Sequence, residues 1–213
     1  MTQGRGRPHA GDRFLRPLYA RALAANAVGA TLAFIYLTVV APPQPEAPEQ
    51  EAWLYLGVVP IYFIVAGVLA HRLTLRLFRP IDRWLDEGRA PTGDERALVL
   101  SLPWRLARHS GAGWLLAAIL FAAETATHHP AAYVAGVGLG IALAGMTTTG
   151  ITFLLAERLL RPLFALALAG HAPVNLRSGS ARTLSTAHRL LVSWALGSGV
   201  ALVAIGAAVQ AAA

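Results

Sequence analysis

Five stretches of this sequence are apolar over nearly the length needed to cross a bilayer, and nothing else in it constrains the fold as strongly. They run over 22–40, 53–70, 111–126, 131–156 and 190–209. A helix needs roughly 20 apolar residues to span the hydrocarbon layer, because every backbone polar group there must be satisfied within the segment itself. The composition agrees, with 55% apolar residues against 14% charged, a balance poorly suited to water as solvent. The expected fold class is therefore an all-α integral membrane protein of about five transmembrane helices. The third stretch has the shortest apolar core, since Glu124 sits near its end. Pro60 in the second removes a backbone donor and is expected to kink that helix.

Charge placement sets the expected orientation. Of the 18 Lys and Arg residues, all are arginine. Arg5, Arg7, Arg13, Arg16 and Arg21 precede the first span; those from Arg72 to Arg108 fall between the second and third; Arg158, Arg161, Arg177, Arg182 and Arg189 fall between the fourth and fifth. The alternate connections hold none: 41–51 is proline-rich with Glu46, Glu49 and Glu51, and 127–130 is a short His-His-Pro turn. Basic residues near helix ends resist translocation, so the basic N-terminus (1–21) is expected in the cytoplasm, followed by a transmembrane domain over 22–213 of a multi-pass cell-membrane protein. The net charge of +7 forms no continuous basic domain, which argues against a nucleic-acid partner. With no cysteine, disulfides, thiolate metal sites and cysteine nucleophiles are excluded. The apolar run after the basic start is too long for a signal peptide.

The two arginine-rich connectors match each other in three blocks taken in the same order. RLFRP (76–80) pairs with RLLRP (158–162), GRAP (88–91) with GHAP (170–173), and LSLPWRL (100–106) with LSTAHRL (184–190). A further copy, RFLRP (13–17), precedes the first span. These define two parallel repeat units, about 53–126 and 131–209, each running in through one helix, along the membrane face and out through the next. Proline in Arg-Pro is expected to redirect the chain. After it, 81–87 reads as a short amphipathic helix with Ile81, Trp84 and Leu85 on one face and Asp82, Arg83 and Asp86 on the other, stopped by Gly88. Arg79, Pro80, Arg161 and Pro162 are thus the candidate signal-coupling junctions. The bland alternative is a set of surface connectors.

The strings LLAERLLRPLFALA (154–167) and LTLRLFRPIDRWL (73–85) resemble the membrane anchor of actinobacterial class III adenylate cyclases, a six-helix anchor preceding a HAMP-type linker and a cyclase domain. The resemblance implies a receptor end whose catalytic part and sixth helix lie beyond these residues, acting as a homodimer through the parent protein. The chain itself shows no metal-binding aspartate pair or nucleotide-binding strand pattern, so no catalytic residue and no cofactor is expected in it.

Inside the spans, Glu124 lies one turn before His128, with His129 adjacent. This trio is a candidate ligand or pH-sensing site, against the simpler reading of an interfacial carboxylate reaching water. The spacing puts Glu124 and His128 on one helical face, and with His129 they could supply metal ligands, though no metal is assigned there. Gly136, Gly140 and Ala144, and likewise Ser193, Gly197 and Ala201, recur every fourth residue, a spacing that lets helix backbones approach closely. Thr147, Thr148 and Thr149 are expected to bond to their own helix. The leading functional expectation is a membrane anchor and sensor, with the bilayer and a lipophilic or extracellular ligand as partners. A small multi-pass transporter or carrier subunit and a passive scaffold are the alternatives.

Overall fold

The computed structural model describes residues 12–36 and 57–169. The fifth expected span, the acidic 41–51 loop, the GHAP and LSTAHRL blocks and the small residues Ser193, Gly197 and Ala201 lie outside them. The described residues are helical, without a strand: α1 (Asp12–Ile35), α2 (Val59–Asp86), α3 (Gly93–Thr125), α4 (Ala131–Leu159) and α5 (Arg161–Leu168). The first four are long and apolar enough to cross a membrane, and the protein is of the multi-pass membrane type.

The helices outlast the apolar runs that announce them. α3 has 33 residues, about 50 Å at 1.5 Å per residue, against a hydrocarbon layer of about 30 Å. Its first half therefore extends past the apolar span. That start is fixed locally: the Thr92 hydroxyl accepts from the Glu95 amide, while the Glu95 carboxylate accepts from the Thr92 amide at 2.8 Å, a reciprocal cap that satisfies two orphan donors. Arg89 clamps the same carboxylate with two guanidinium hydrogen bonds of 2.8 and 2.7 Å. Just upstream, α2 stops as expected of a glycine at C′: Gly88 takes φ +63°, where an L side chain would be strained.

Packing centres on α4, which lies against α3 and α1. Small residues make the approach close. A Cβ at Gly29 would collide with the Thr148 hydroxyl, one at Gly140 with the Tyr36 ring, and one at Gly145 with Trp114. Gly140, Ala144 and Thr148 are buried, whereas Gly136 faces open space. Thr147 and Thr148 donate to the carbonyls of Leu143 and Ala144, one turn back.

Two apolar clusters result. One lies within the spans and joins Ala33, Trp114, Ala117, Ala118, Val137, Ile141 and Ala144. The other lies at the arginine-rich end and joins Phe14, Leu15, Leu18, Phe78, Ile81, Trp84, Val99, Leu102, Leu106, Ala156, Leu160, Leu163 and Ala167. The second holds most of the fully enclosed large side chains, among them Phe78, Ile81, Leu102, Leu160 and Leu163. Ile61, Ile64, Val65, Leu115 and Ile119 are instead exposed, as suits residues whose solvent is lipid.

Two expectations about proline are corrected, at Pro17 and Pro80. Pro60 lies just past Gly57 and Val58, which are π-helical and lead into α2, so the kink expected there falls at the edge of the described residues. Pro17 lies inside α1, so the RFLRP block belongs to the first helix and does not precede it. Pro80 lies inside α2: the chain does not turn there, and 81–87 forms the end of the same helix. One lost hydrogen bond is outweighed because Phe78, Ile81 and Trp84 on either side of Pro80 are all buried in one core. The expected faces hold at four of the six positions, with Ile81 and Trp84 buried and Arg83 and Asp86 exposed, while Leu85 and Asp82 are both half-buried.

Candidate functional site

At the end of the bundle away from the arginine-rich core, α1, α2, α3 and α4 line a half-open cavity of about 130 Å³. An apolar cavity of about this size accepts a benzene-sized molecule. Its wall is largely aromatic: Phe34, Tyr62, Phe63, Trp114, Phe121 and Tyr133 all line it. The rings meet edge to face, with centroids 6.1 Å apart for both Phe63–Trp114 and Tyr62–Phe121, the geometry that quadrupolar rings prefer. Polar groups sit on the same wall, and they are the three picked from the sequence: Glu124, His128 and His129.

The route by which these three meet differs from the expected one. The helix ends at Thr125, and the Ala126 cap leads into a turn in which the amides of His128 and His129 both reach the Thr125 carbonyl, at 3.1 and 3.0 Å. His128 thus stands beyond the helix and shares no helical face with Glu124. The turn folds it back onto the cavity instead. Pro130 then starts α4 in extended geometry, and the His129 ring lies against Tyr133 with centroids 4.7 Å apart and planes tilted by 41°. Glu124 and His128 are exposed and His129 is half-buried. Among the described residues no three His, Asp or Glu side chains converge to hold a metal ion. The chemistry on offer is that of an apolar pocket with one carboxylate and two imidazoles beside it.

Sequence reading missed two members of this region. Trp114 donates its indole N–H to the Asn26 side-chain oxygen at 3.1 Å, while the Asn26 amide donates to the Ala22 carbonyl at 2.8 Å. An asparagine within a membrane span is costly unless partnered, so Asn26 was itself the available signal. Tyr62 bonds through its hydroxyl to the Gly113 carbonyl, which fixes α2 against α3.

The candidate coupling junctions lie at the other end and behave differently from each other. Arg79-Pro80 sits within unbroken α2. At Arg161-Pro162 the chain does break: Leu160 takes φ −89°, ψ 0°, and α5 begins at Arg161 with proline in its first turn. The Phe164 amide still reaches the Leu160 carbonyl at 2.9 Å, so the break is confined to one residue between two helices. Both Leu160 and Leu163 are wholly enclosed there.

No family model matches the chain, and no solved structure is significantly similar to it. It is similar to uncharacterized mycobacterial proteins. One from Mycobacterium tuberculosis (strain H37Rv) is 32% identical over 186 residues, covering 85% of this chain and 32% of the relative, and a Mycobacterium bovis protein gives the same figures. A second protein of that M. tuberculosis strain is 28% identical over 185 residues, covering 86% of this chain and 33% of the relative. The chain thus spans about a third of the length of the curated relatives it matches.

Proposed function

We propose that these residues form the membrane anchor and sensing domain of a class III adenylate cyclase, with the arginine-rich end in the cytoplasm and the aromatic cavity taking a small lipophilic ligand from the opposite side. The observation that carries this reading is the enclosed core at the arginine-rich end. The basic ends of all four spans and α5 share it, so a shift of any span moves its neighbours before the chain leaves the membrane face. A cavity that touches all four spans at the far end supplies the matching input. The mycobacterial relatives add support: about two thirds of their length lies outside the match, which leaves room for a linker and a catalytic domain. Mycobacteria are also actinobacteria, the group to which the anchor resemblance points.

A transporter would be expected to carry charged or broken-helix sites near the midplane. Among the described residues, the chain break falls at Leu160, at the arginine-rich end, and Glu124 lies at the opposite one. The test is cyclic AMP production per unit of membrane-inserted full-length parent, with Leu160→Ala, Pro162→Ala and Glu124→Gln beside it. A sensor should change basal activity or response in Pro162→Ala at near-normal expression, and in Leu160→Ala per inserted molecule, with the inserted amount itself lowered because the change opens the enclosed core. A parent without cyclase activity ends the cyclase reading, and activity that tracks expression alone in all three variants ends the sensor reading.

A further inference from the structure

The cytoplasmic-type half of α2 has an arginine face whose register continues its lipid-facing one. Along the helix, Ile61, Val65 and Val68 are exposed apolar residues, and the next members at three- and four-residue spacing are Arg72, Arg76, Arg79 and Arg83, all exposed. Positions at this spacing share one side of a helix. The opposite side carries Thr74, Phe78, Ile81 and Trp84, all buried. The face that meets lipid tails therefore turns, without a twist, into a row of four guanidinium groups. Two other helices repeat the device at smaller scale. Exposed Leu23 on α1 stands two turns from exposed Arg16, and exposed Met146 and Leu154 on α4 lead to exposed Arg158.

From this register we infer that the arginine face of α2 is a binding surface for the phosphate headgroups of anionic phospholipids. The placement argues for a lipid as the source of phosphate. Arg72 and Arg76 are about 6 Å apart along the axis, and the headgroup layer is about 5–8 Å deep on each side. A lipid whose tails lie on Ile61, Val65 and Val68 presents its phosphate at that level. Guanidinium groups bind phosphate oxygens in pairs, and basic residues next to a span attract anionic lipids. Arg89 is held by Glu87 and Glu95 and so is occupied elsewhere, while Asp82 lies on α2 between Arg79 and Arg83. Asp86 lies beyond Arg83, at the far end of the row.

The experiment uses the full chain in bilayer discs of phosphatidylcholine containing one-fifth phosphatidylglycerol, with the retained lipids identified by native mass spectrometry. Retention of phosphatidylglycerol over phosphatidylcholine should exceed the bulk ratio by about fivefold for each engaged arginine at low ionic strength, falling in high salt. Added inorganic phosphate at matched ionic strength should not displace it. The combined change Arg72→Gln, Arg76→Gln, Arg79→Gln and Arg83→Gln should return the ratio toward bulk, whereas Arg89→Gln should leave it high. Wild-type retention at the bulk ratio overturns the inference, and so does a folded quadruple variant that retains phosphatidylglycerol like the wild type. Displacement by inorganic phosphate would also overturn it, by showing a free-anion site. The wild-type headgroup and salt comparison decides the matter even where the quadruple variant fails to insert.

Discussion

Replacing Phe78 by alanine removes the first of the large, fully enclosed side chains at the arginine-rich end. That core lies past the apolar run of α2, so opening it exposes the ring to water and the aqueous transfer term applies. A buried Phe→Ala change costs roughly 3–5 kcal/mol, combining lost transfer free energy with the cavity left behind. Phe34 is 54% exposed, and the same change there should cost less than about 0.5 kcal/mol. The chain has no cysteine, so Ala156→Cys, at a position 0% exposed in the same core, gives a single buried reporter thiol. In detergent, its maleimide labelling proceeds through opening of the core and tracks the opening equilibrium when closing is fast. At tenfold per 1.4 kcal/mol, Phe78→Ala should raise the labelling rate by roughly two to three and a half powers of ten. Phe34→Ala should leave it within about threefold. A rise of less than tenfold with Phe78→Ala, or equal rises in both variants, would refute a closed core shared by the helix ends.

Cysteines placed at Pro45 and Asp94 should label from opposite sides in intact cells; equal labelling by an impermeant reagent would sink the proposed orientation. The Arg89 hydrogen bonds hold the Glu95 carboxyl at a pKa of about 2, below its ordinary 4.5, so the clamp is fully present above pH 4.5 and lost as pH falls through 2. A ¹³C titration of Glu95 should show that depressed midpoint and Arg89→Gln should move it upward; an unmoved midpoint discards the clamp. Thr92→Ala should cost α3 about 1 kcal/mol by removing its cap, read as faster amide exchange in the first turn. Gly140→Val should disrupt α1–α4 packing because of the Tyr36 ring, while Gly136→Val is accommodated; equal melting losses in detergent would contradict the placement of Tyr36.

The apolar runs marked the four described spans because hydrocarbon solvent filters composition directly, and the spacing of Ile81, Trp84 and Leu85 marked a core-facing side because helix periodicity does not depend on what precedes it. The behaviour of proline was not legible. Pro80 and Pro162 stand in matching strings, yet one lies within a helix and the other begins one. Local sequence states what a proline removes but not what its neighbours supply. Phe78, Ile81 and Trp84 hold α2 continuous through Pro80 by tertiary contacts that no local pattern contains. The cavity was legible only at its polar edge, since Glu124, His128 and His129 are conspicuous beside apolar residues. Its aromatic wall comes from four helices and looks in sequence like any span interior.

The three Arg-x-x-Arg-Pro strings acquire a common meaning when burial is laid over them. In each, the third residue and the one following proline reach the same core: Leu15 and Leu18, Phe78 and Ile81, Leu160 and Leu163. The six arginines around them, Arg13, Arg16, Arg76, Arg79, Arg158 and Arg161, are all exposed. A three-residue spacing puts the two apolar members on one helical side while both arginines take the other. The string is therefore a two-sided device, apolar toward the core and cationic toward its surroundings. Proline is compatible with either backbone outcome because the apolar pair straddles it and is held in both cases. That is why one string can sit inside a continuous helix while another begins a new one. The difference places the interruption of the helix at Leu160, whose side chain stays wholly enclosed.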